Sequence, residues 1–195
     1  VKMNRFVVAN ALVDAAPEFP PALQNYSLSR SWREGDIAWA EWKGEIDGRE
    51  IIVTSSIQLW QKSLVVDVFC PTGTATGLSF GRLADVREPE LVTLPFMNYG
   101  GHHLRVLLSR GVRPFFASVW MDWYRSNASK PFAHDRIEGA SAWLNGGVHY
   151  LPKTNGERNP LFERFFVTFS PVFEEVLASI PNPPARDCLL YTSPS

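Results

Sequence analysis

The sequence predicts an all-β domain, an antiparallel β-sandwich with one short C-terminal helix near residues 171–180. Turn residues recur at short intervals, apolar and polar residues alternate between them, and helical periodicity is confined to one stretch near the end. A chain of 195 residues is long enough to bury a core without a metal or disulfide. Roughly ten short strands joined by tight turns favour a sandwich over alternating strands and helices.

The strand pattern is clearest between residues 36 and 70. Ile37, Trp39 and Glu41 alternate with Ala38, Ala40 and Trp42. Asp47-Gly48 follows, which is the strongest short-range hairpin signal. Residues 49–59 and 64–70 then form two more strands of an antiparallel meander, with a turn at Lys62-Ser63. The preceding residues, 1–35, predict an edge strand near Phe6 and then a loop.

The second half of the chain continues the same alternation. Pro95 predicts an edge or bulge position for its strand, because proline cannot donate to a sheet ladder. Asn145-Gly146-Gly147 predicts a hairpin that joins residues 140–144 to 148–151. Ser170 is the expected N-cap of the helix and Pro171 its first residue. The other expected strands cover residues 77–86, 91–97, 104–109, 115–121 and 161–169.

The sequence near the ends of the chain predicts that the chain consists of three parts. Residues 1–180 form the sandwich, and residues 181–187 form a proline-rich linker to a further domain that this chain lacks. Residues 188–195 resemble the translated sequencing-adapter read-through found at the ends of assembled environmental sequences, and we expect them to be unpacked. A targeting segment could precede Val1, so the location stays open, with an extracytoplasmic one as an option.

Composition excludes several functions. The net charge of −1 argues against a nucleic-acid binder driven by bulk charge, and no apolar run reaches the length that spans a bilayer. No phosphate-binding glycine loop or serine nucleophile motif is present. Cys70 lies in an apolar strand without a neighbouring base, which predicts a buried small side chain rather than a nucleophile. No cofactor is expected.

The most informative stretch is the loop after the strand at residues 115–121. Flat aromatic rings match the apolar faces of sugars, and carboxylate, guanidinium and amide groups bond sugar hydroxyls. The loop therefore predicts a carbohydrate-contacting surface. The competing interpretation is a strand end whose rings close the sandwich while Asp122 pairs with Arg125. The candidate residues are Asp122, Trp123, Tyr124, Arg125 and Asn127.

A second candidate stretch surrounds two adjacent histidines. Tyr99, His102 and His103 flank the pair Gly100-Gly101, and one histidine could line a pocket. Adjacent residues of an extended strand point to opposite sides, so the two histidines cannot bind one metal together. Zinc needs three or four ligands, so no metal site is expected.

Glycoside hydrolysis needs two carboxyl groups on facing walls of a cleft. Only Asp122 lies in an aromatic context, so we expect no complete catalytic pair in this chain. The carboxylates considered are Asp67, Asp85, Glu88, Glu90, Asp122, Asp135 and Glu163.

The strand order, the loop VWMDWYRSNAS and the ending FFVTFSPVFEEVLASIPNPP resemble β-supersandwich domains of the galactose-mutarotase-like kind. Such domains precede the catalytic barrel in some bacterial carbohydrate-active enzymes. The resemblance spans residues 36–184 and implies a non-catalytic domain of a glycoside hydrolase that packs on the barrel and shapes its sugar cleft. The barrel would carry the catalytic acid and base.

Two other functions stay open. One is a free-standing mutarotase-like enzyme, which would need His102 or His103 together with Asp122 around one sugar ring. The other is a structural or protein-interaction sandwich that uses its exposed aromatic residues for contacts. The expected partners are a carbohydrate and the missing catalytic domain, without nucleic acid or membrane.

Overall fold

The structure is a computed structural model, and it describes residues 24–177 apart from positions 47, 81, 100–101, 133–134 and 145. Side chains at 24–26, 46, 49, 96–99 and 102 are also outside the description. The expected strand near Phe6, the linker at 181–187 and the tail at 188–195 therefore lie outside the described residues.

The described chain is almost entirely antiparallel β-structure, which confirms the predicted fold class. The strands are β1 Gln24–Glu34, β2 Ile37–Ile46, β3 Arg49–Trp60, β4 Ser63–Cys70, β5 Gly77–Ser79, β6 Arg82–Leu83, β7 Pro89–Tyr99, β8 His102–Ser109, β9 Phe115–Met121, β10 Lys130–Phe132, β11 Arg136–Glu138, β12 Ser141–Trp143, β13 Gly147–His149 and β14 Leu161–Ser170. One sheet contains eight strands in the order β1-β2-β3-β4-β14-β9-β8-β7, and two smaller sheets have the orders β10-β13-β5 and β11-β12-β6.

The main core lies between the large sheet and the small sheets. Phe165 on β14 stacks on Phe80, with ring centroids 5.2 Å apart. Leu78, Leu144 and Val148 from the small-sheet side belong to the same buried cluster. Cys70 is buried there too, as the sequence predicts. We call this side of the large sheet the inner face and the other side the outer face.

Where the predicted C-terminal helix is described, it is a single 3-10 turn, Phe173–Val176, and residues 178–180 of the prediction lie outside the described residues. The turn docks on the outer face. Phe173 packs edge-on against Phe116, and the Val176 carbonyl accepts the indole N–H of Trp120 at 2.9 Å. Ser170 acts in a cap-like way, since its hydroxyl accepts the Val172 N–H at 3.1 Å. Tertiary contacts therefore decide the local geometry here, because the segment after the turn is already extended at Leu177.

Two local predictions are confirmed. Ile46 pairs with Arg49 across the Asp47-Gly48 turn, and Gly48 has the positive φ of 73° that such a turn favours. Pro95 lies on β7, the edge strand of the large sheet, inside a register shift between Thr93 and Asn98.

The sequence prediction for residues 24–34 was wrong, because these residues form β1 rather than a loop. The strand is mostly polar, but it does alternate, with Tyr26, Leu28 and Trp32 separated by serines, and this pattern was overlooked. It is held by cross-strand pairs with β2, where Trp32 stacks on Trp39 and Arg30 bonds Glu41. Such cross-strand pairs stabilise a strand at the edge of a sheet.

The predicted hairpin across Asn145-Gly146-Gly147 was also wrong. Strand β12 pairs with β11 and β6, whereas β13 pairs with β10 and β5 in the other small sheet. The chain crosses between sheets at this point, and the Gly146 carbonyl accepts the Phe80 N–H at 3.0 Å. The expected strand at 77–86 is likewise split into β5 and β6, one for each small sheet.

Gly147 is the position where this crossing depends most on glycine. A Cβ there would lie 2.1 Å from the Leu78 carbonyl oxygen and 2.7 Å from the Phe132 ring. We expect Gly147→Ala to lower the free energy of unfolding by about 1–3 kcal/mol through overpacking against backbone. Urea denaturation followed by tryptophan fluorescence measures this change.

Gly111→Ala is the matched control, because a Cβ at Gly111 meets only the flexible Arg87 side chain, at 3.1 Å. The control should stay within about 0.5 kcal/mol of the parent. Equal effects of the two variants would show that the close approach at Gly147 does not limit stability.

Candidate functional site

The loop after β9 is a tight turn built on one buried carboxylate. Asp122 is 4% exposed, and its Oδ1 accepts the Tyr124 N–H at 3.2 Å. Its carbonyl accepts the Arg125 N–H at 3.1 Å, and its Oδ2 lies 3.8 Å from the Arg125 Nε. An aspartate that bonds the backbone two residues ahead fixes the turn locally. Asp122 therefore positions the loop.

The aromatic rings of the loop lie at the surface. Trp123 is 38% exposed and Tyr124 is 65% exposed. The Arg125 side chain is also exposed. The turn thus presents two rings and one cation on a backbone that Asp122 holds in place.

The far end of the loop is bonded to neighbouring segments. The Asn127 N–H donates to the Phe162 carbonyl at 3.3 Å, and its side-chain amide donates to the Pro160 carbonyl at 3.3 Å. The Asn159 amide in turn donates to the Asn127 carbonyl at 2.9 Å. Asn127 therefore tethers the loop, and its amide nitrogen already has a protein acceptor.

Beneath the loop, a buried acid on the inner face joins it to the core. Glu163 of β14 is 0% exposed, and its Oε1 accepts the Ser126 hydroxyl at 3.0 Å and the Tyr150 hydroxyl. The Ser126 oxygen also accepts the Ala128 N–H at 3.1 Å. The second carboxyl oxygen of Glu163 is buried without a hydrogen-bond partner among the described residues. Glu163 thus anchors the loop from below.

Burial changes the proton affinity of this pair. Removal from water raises the pKa of Glu163 to about 7, although the hydroxyls of Tyr150 and Ser126 oppose the rise. The pKa of Tyr150 rises as well, first through burial and then through its bond to Glu163. A neutral Glu163 carboxyl fits this site better than a carboxylate, because the two side chains that bond it, Ser126 and Tyr150, are uncharged hydroxyls.

On the outer face, charges of opposite sign alternate across three strands. Arg164 donates to both carboxylate oxygens of Asp67, from Nε to Oδ1 and from Nη2 to Oδ2, each at 2.6 Å. Asp122 lies on the other side of Arg164, whose carbonyl accepts the Asp122 N–H at 2.8 Å. Hydrogen bonding to Asp67 raises the pKa of Arg164, against an opposing effect of burial, and Asp122 adds to the rise. The candidate loop is therefore joined to the sheet on both faces.

The second candidate stretch lies at the end of the edge hairpin β7–β8. Tyr99 pairs with His102 and Asn98 with His103 in the backbone register. The His103 side chain is exposed, and among the described residues it makes no hydrogen bond or ion pair with the loop. The side chains of Tyr99 and His102 lie outside the description. The structure thus groups the five loop residues in one turn and places the other three on a separate hairpin.

Sequence reasoning named Glu163 only among the candidate carboxylates and did not connect it with the loop, and it missed Arg164. A signal was present, because Glu163 alternates with Leu161, Phe165 and Val167 and so falls on the apolar face of its strand. The partners Tyr150 and Asp67 come from other sheets or strands, and only the tertiary structure brings them together.

Fold and site together define an all-β sandwich with an exposed aromatic loop fixed by buried acids. No protein-family model, curated protein or solved structure matches the chain. Among the described positions, no group of three or more His, Cys, Asp or Glu side chains could hold a metal ion. The part of the chain that the structure describes also has no helix long and apolar enough to cross a membrane.

Proposed function

We propose that this protein is a carbohydrate-contacting β-sandwich domain whose binding element is the loop from Asp122 to Asn127. In this proposal it serves as a non-catalytic domain of the kind that precedes the barrel of bacterial glycoside hydrolases. The observation that carries the proposal is the exposure of Trp123 and Tyr124 on a turn fixed by a buried aspartate.

The energetics favour a binding role for these rings. Exposed aromatic surface forgoes about 25 cal/mol for each Å² left in water, so two adjacent exposed rings are costly for folding alone. The loop backbone is already fixed by Asp122 and Ser126, so a ligand would meet a preorganised surface and little ordering entropy would be lost on binding. The exposed Arg125 supplies donors for sugar hydroxyls beside the rings.

The acids near the loop support binding rather than bond cleavage. Glu163 has a raised pKa, but it is fully buried and faces the core. Asp122 is bonded to the backbone and lies next to Arg164 and Arg125. A catalytic acid or base must reach the proton that it transfers, and neither carboxyl group is exposed to do so.

A binding measurement with a substitution in the loop tests the proposal. We expect Trp123→Ala to reduce affinity for a bound neutral sugar about tenfold or more, with the melting temperature nearly unchanged, because a half-exposed ring contributes contact area more than core packing. A screen of immobilised neutral glycans followed by calorimetry would identify the sugar and measure the affinity.

Ile137→Ala is the matched control, since Ile137 on β11 is 39% exposed, almost the same as Trp123 at 38%. The control should bind like the parent. A drop of about 3–5 kcal/mol in stability with Trp123→Ala, and no sugar binding by the parent, would instead assign the ring to packing. Capture of protein ligands alone by the parent would favour an interaction sandwich.

A further inference from the structure

We propose that the saccharide site continues from the loop across the outer face of the eight-stranded sheet and takes a neutral oligosaccharide that lies across the strands. This inference rests on the proposed function and adds its ligand class and its extent. The residues that carry it form a line on the outer face, here called the cross-strand row, which consists of Asp122, Arg164, Asp67, Ser56 and Trp39.

The strand register defines this row. Directly paired residues of neighbouring antiparallel strands share a face of the sheet. Arg164 pairs with Asp67, Asp67 with Ser56, and Ser56 with Trp39. Asp122 enters the row through its backbone bond to Arg164. At the far end, Trp39 stacks on Trp32 of β1, with centroids 5.8 Å apart and ring planes 5° apart.

The row has the length and the side chains of an elongated site. Five neighbouring strands are separated by four spacings, so the row extends over about 19 Å. Asp122 and Ser56 are buried, each 4% exposed, whereas Asp67 and Arg164 keep some contact with solvent, with exposed side-chain fractions of 19% and 20%. Phe69, the residue on β4 that pairs with Phe162, is 42% exposed beside them. A polar strip is therefore bordered by exposed aromatic surface between the loop and the tryptophan pair.

The charges of this surface select a neutral ligand. Arg164 is neutralised by Asp67, and Arg125 faces Asp122. At the other end Arg30 donates to Glu41 at 2.9 Å and lies 4.6 Å from the centre of the Trp32 ring. Carboxylates and guanidinium groups alternate without an excess of either sign, so there is no net attraction to a polyanion. The partly exposed Asp67 and Arg164 and the exposed Arg30 offer an acceptor and donors to hydroxyl groups.

The aromatic residues favour a sugar chain over a peptide as the occupant. Exposed rings lie at Tyr124 and Phe69, and the half-buried ring of Trp32 lies at the far end of the polar row. Pyranose rings present flat apolar faces and polar rims at every unit, so one chain could meet rings and polar groups repeatedly. A peptide strand would instead need an unpaired sheet edge for its backbone.

Calorimetry with glucose and its β-1,4- and α-1,4-linked oligomers up to the hexasaccharide tests this proposal. For at least one series we expect the affinity to rise about tenfold or more from the monosaccharide to the hexasaccharide, because added units reach Phe69 and the row. Phe69→Ala should remove most of this gain and leave monosaccharide affinity within about twofold. Phe69→Leu, which retains apolar volume but not the flat ring, should do the same in a fully folded protein.

Leu59→Ala is the matched control, because Leu59 on β3 is 78% exposed and lies outside the row. The Leu59→Ala variant should retain the full rise in affinity from the monosaccharide to the hexasaccharide. Equal affinity for short and long oligomers, or a gain that persists in both Phe69 variants, would overturn the extended site and leave the loop as the binding element. Tighter binding of heparin fragments than of the neutral series would overturn the neutral ligand. No binding of any sugar by the parent would contradict the proposed function itself.

Discussion

Replacing Phe165 with alanine is expected to lower the free energy of unfolding by about 3–5 kcal/mol. Phe165 is 4% exposed and stacks on Phe80, with ring planes 12° apart. Its removal would leave a cavity between β14 and the small-sheet side, where backbone-bonded strands can relax only slightly. Guanidinium chloride denaturation followed by circular dichroism measures the loss.

Phe69→Ala provides the matched comparison for this prediction. The two residues have the same side chain and lie on adjacent strands, but Phe69 is 42% exposed on the outer face. We expect its substitution to cost about 1 kcal/mol or less. Similar costs for both variants would contradict the assignment of the core to the inner face. The same stability data check that the Phe69 variants used for sugar binding remain folded.

The stability of the protein is expected to fall between about pH 4.5 and pH 7 through one group, Glu163. Its pKa is raised from 4.5 to about 7 by burial. Across this window the folded protein retains a proton that the unfolded chain releases, so the free energy of unfolding decreases as pH rises. The difference between the two pKa values corresponds to about 3 kcal/mol, fully lost above pH 7.

Glu163→Gln isolates this contribution. Glutamine keeps an oxygen that accepts the Ser126 and Tyr150 hydroxyls but does not ionise. We expect the stability of the variant relative to the parent to rise by about 3 kcal/mol between pH 4.5 and pH 8. His149 acts in the opposite direction, because burial and Lys130 lower its pKa, and this contribution cancels when parent and variant are compared.

Glu138→Gln is the control for the pH series, since Glu138 is exposed on β11 and the Glu163 carboxyl stays in place. The control should retain the fall in stability between pH 4.5 and pH 7. A parallel pH dependence for the parent and Glu163→Gln would show that Glu163 ionises normally and does not anchor the loop as a neutral acid.

The part of the fold that the sequence predicted is the part set by local pattern. Strand β9 was predicted with its exact bounds, because Phe115–Met121 is a short apolar run between a proline-containing turn and a polar loop. The Asp47-Gly48 hairpin followed from turn chemistry. In the candidate site, the same local reasoning identified the aromatic loop, and the buried Asp122 makes the local turn that an aspartate favours.

Local pattern failed where a segment depends on a distant partner. Strand β1 is mostly polar and its alternation at Tyr26, Leu28 and Trp32 was overlooked, and it is held by the Trp32–Trp39 stack and the bond from Arg30 to Glu41. The glycines at 146 and 147 fit a hairpin as well as a crossing between sheets, and the choice is made by close contact with Leu78 and Phe132. The C-terminal segment had the capping residues of a helix, yet its docking on Phe116 and Trp120 leaves one 3-10 turn.

The sequence by itself determined that this protein is an antiparallel β-structure with an aromatic loop after β9, because both follow from residues close together in the chain. Only the tertiary structure decided what that loop rests on. Glu163, Tyr150 and Ser126 meet through side chains from three separate segments, and Asp67 reaches Arg164 from another strand. Buried polar groups require partners wherever the fold can supply them, and strand pairing, not neighbouring sequence, determines which partners those are.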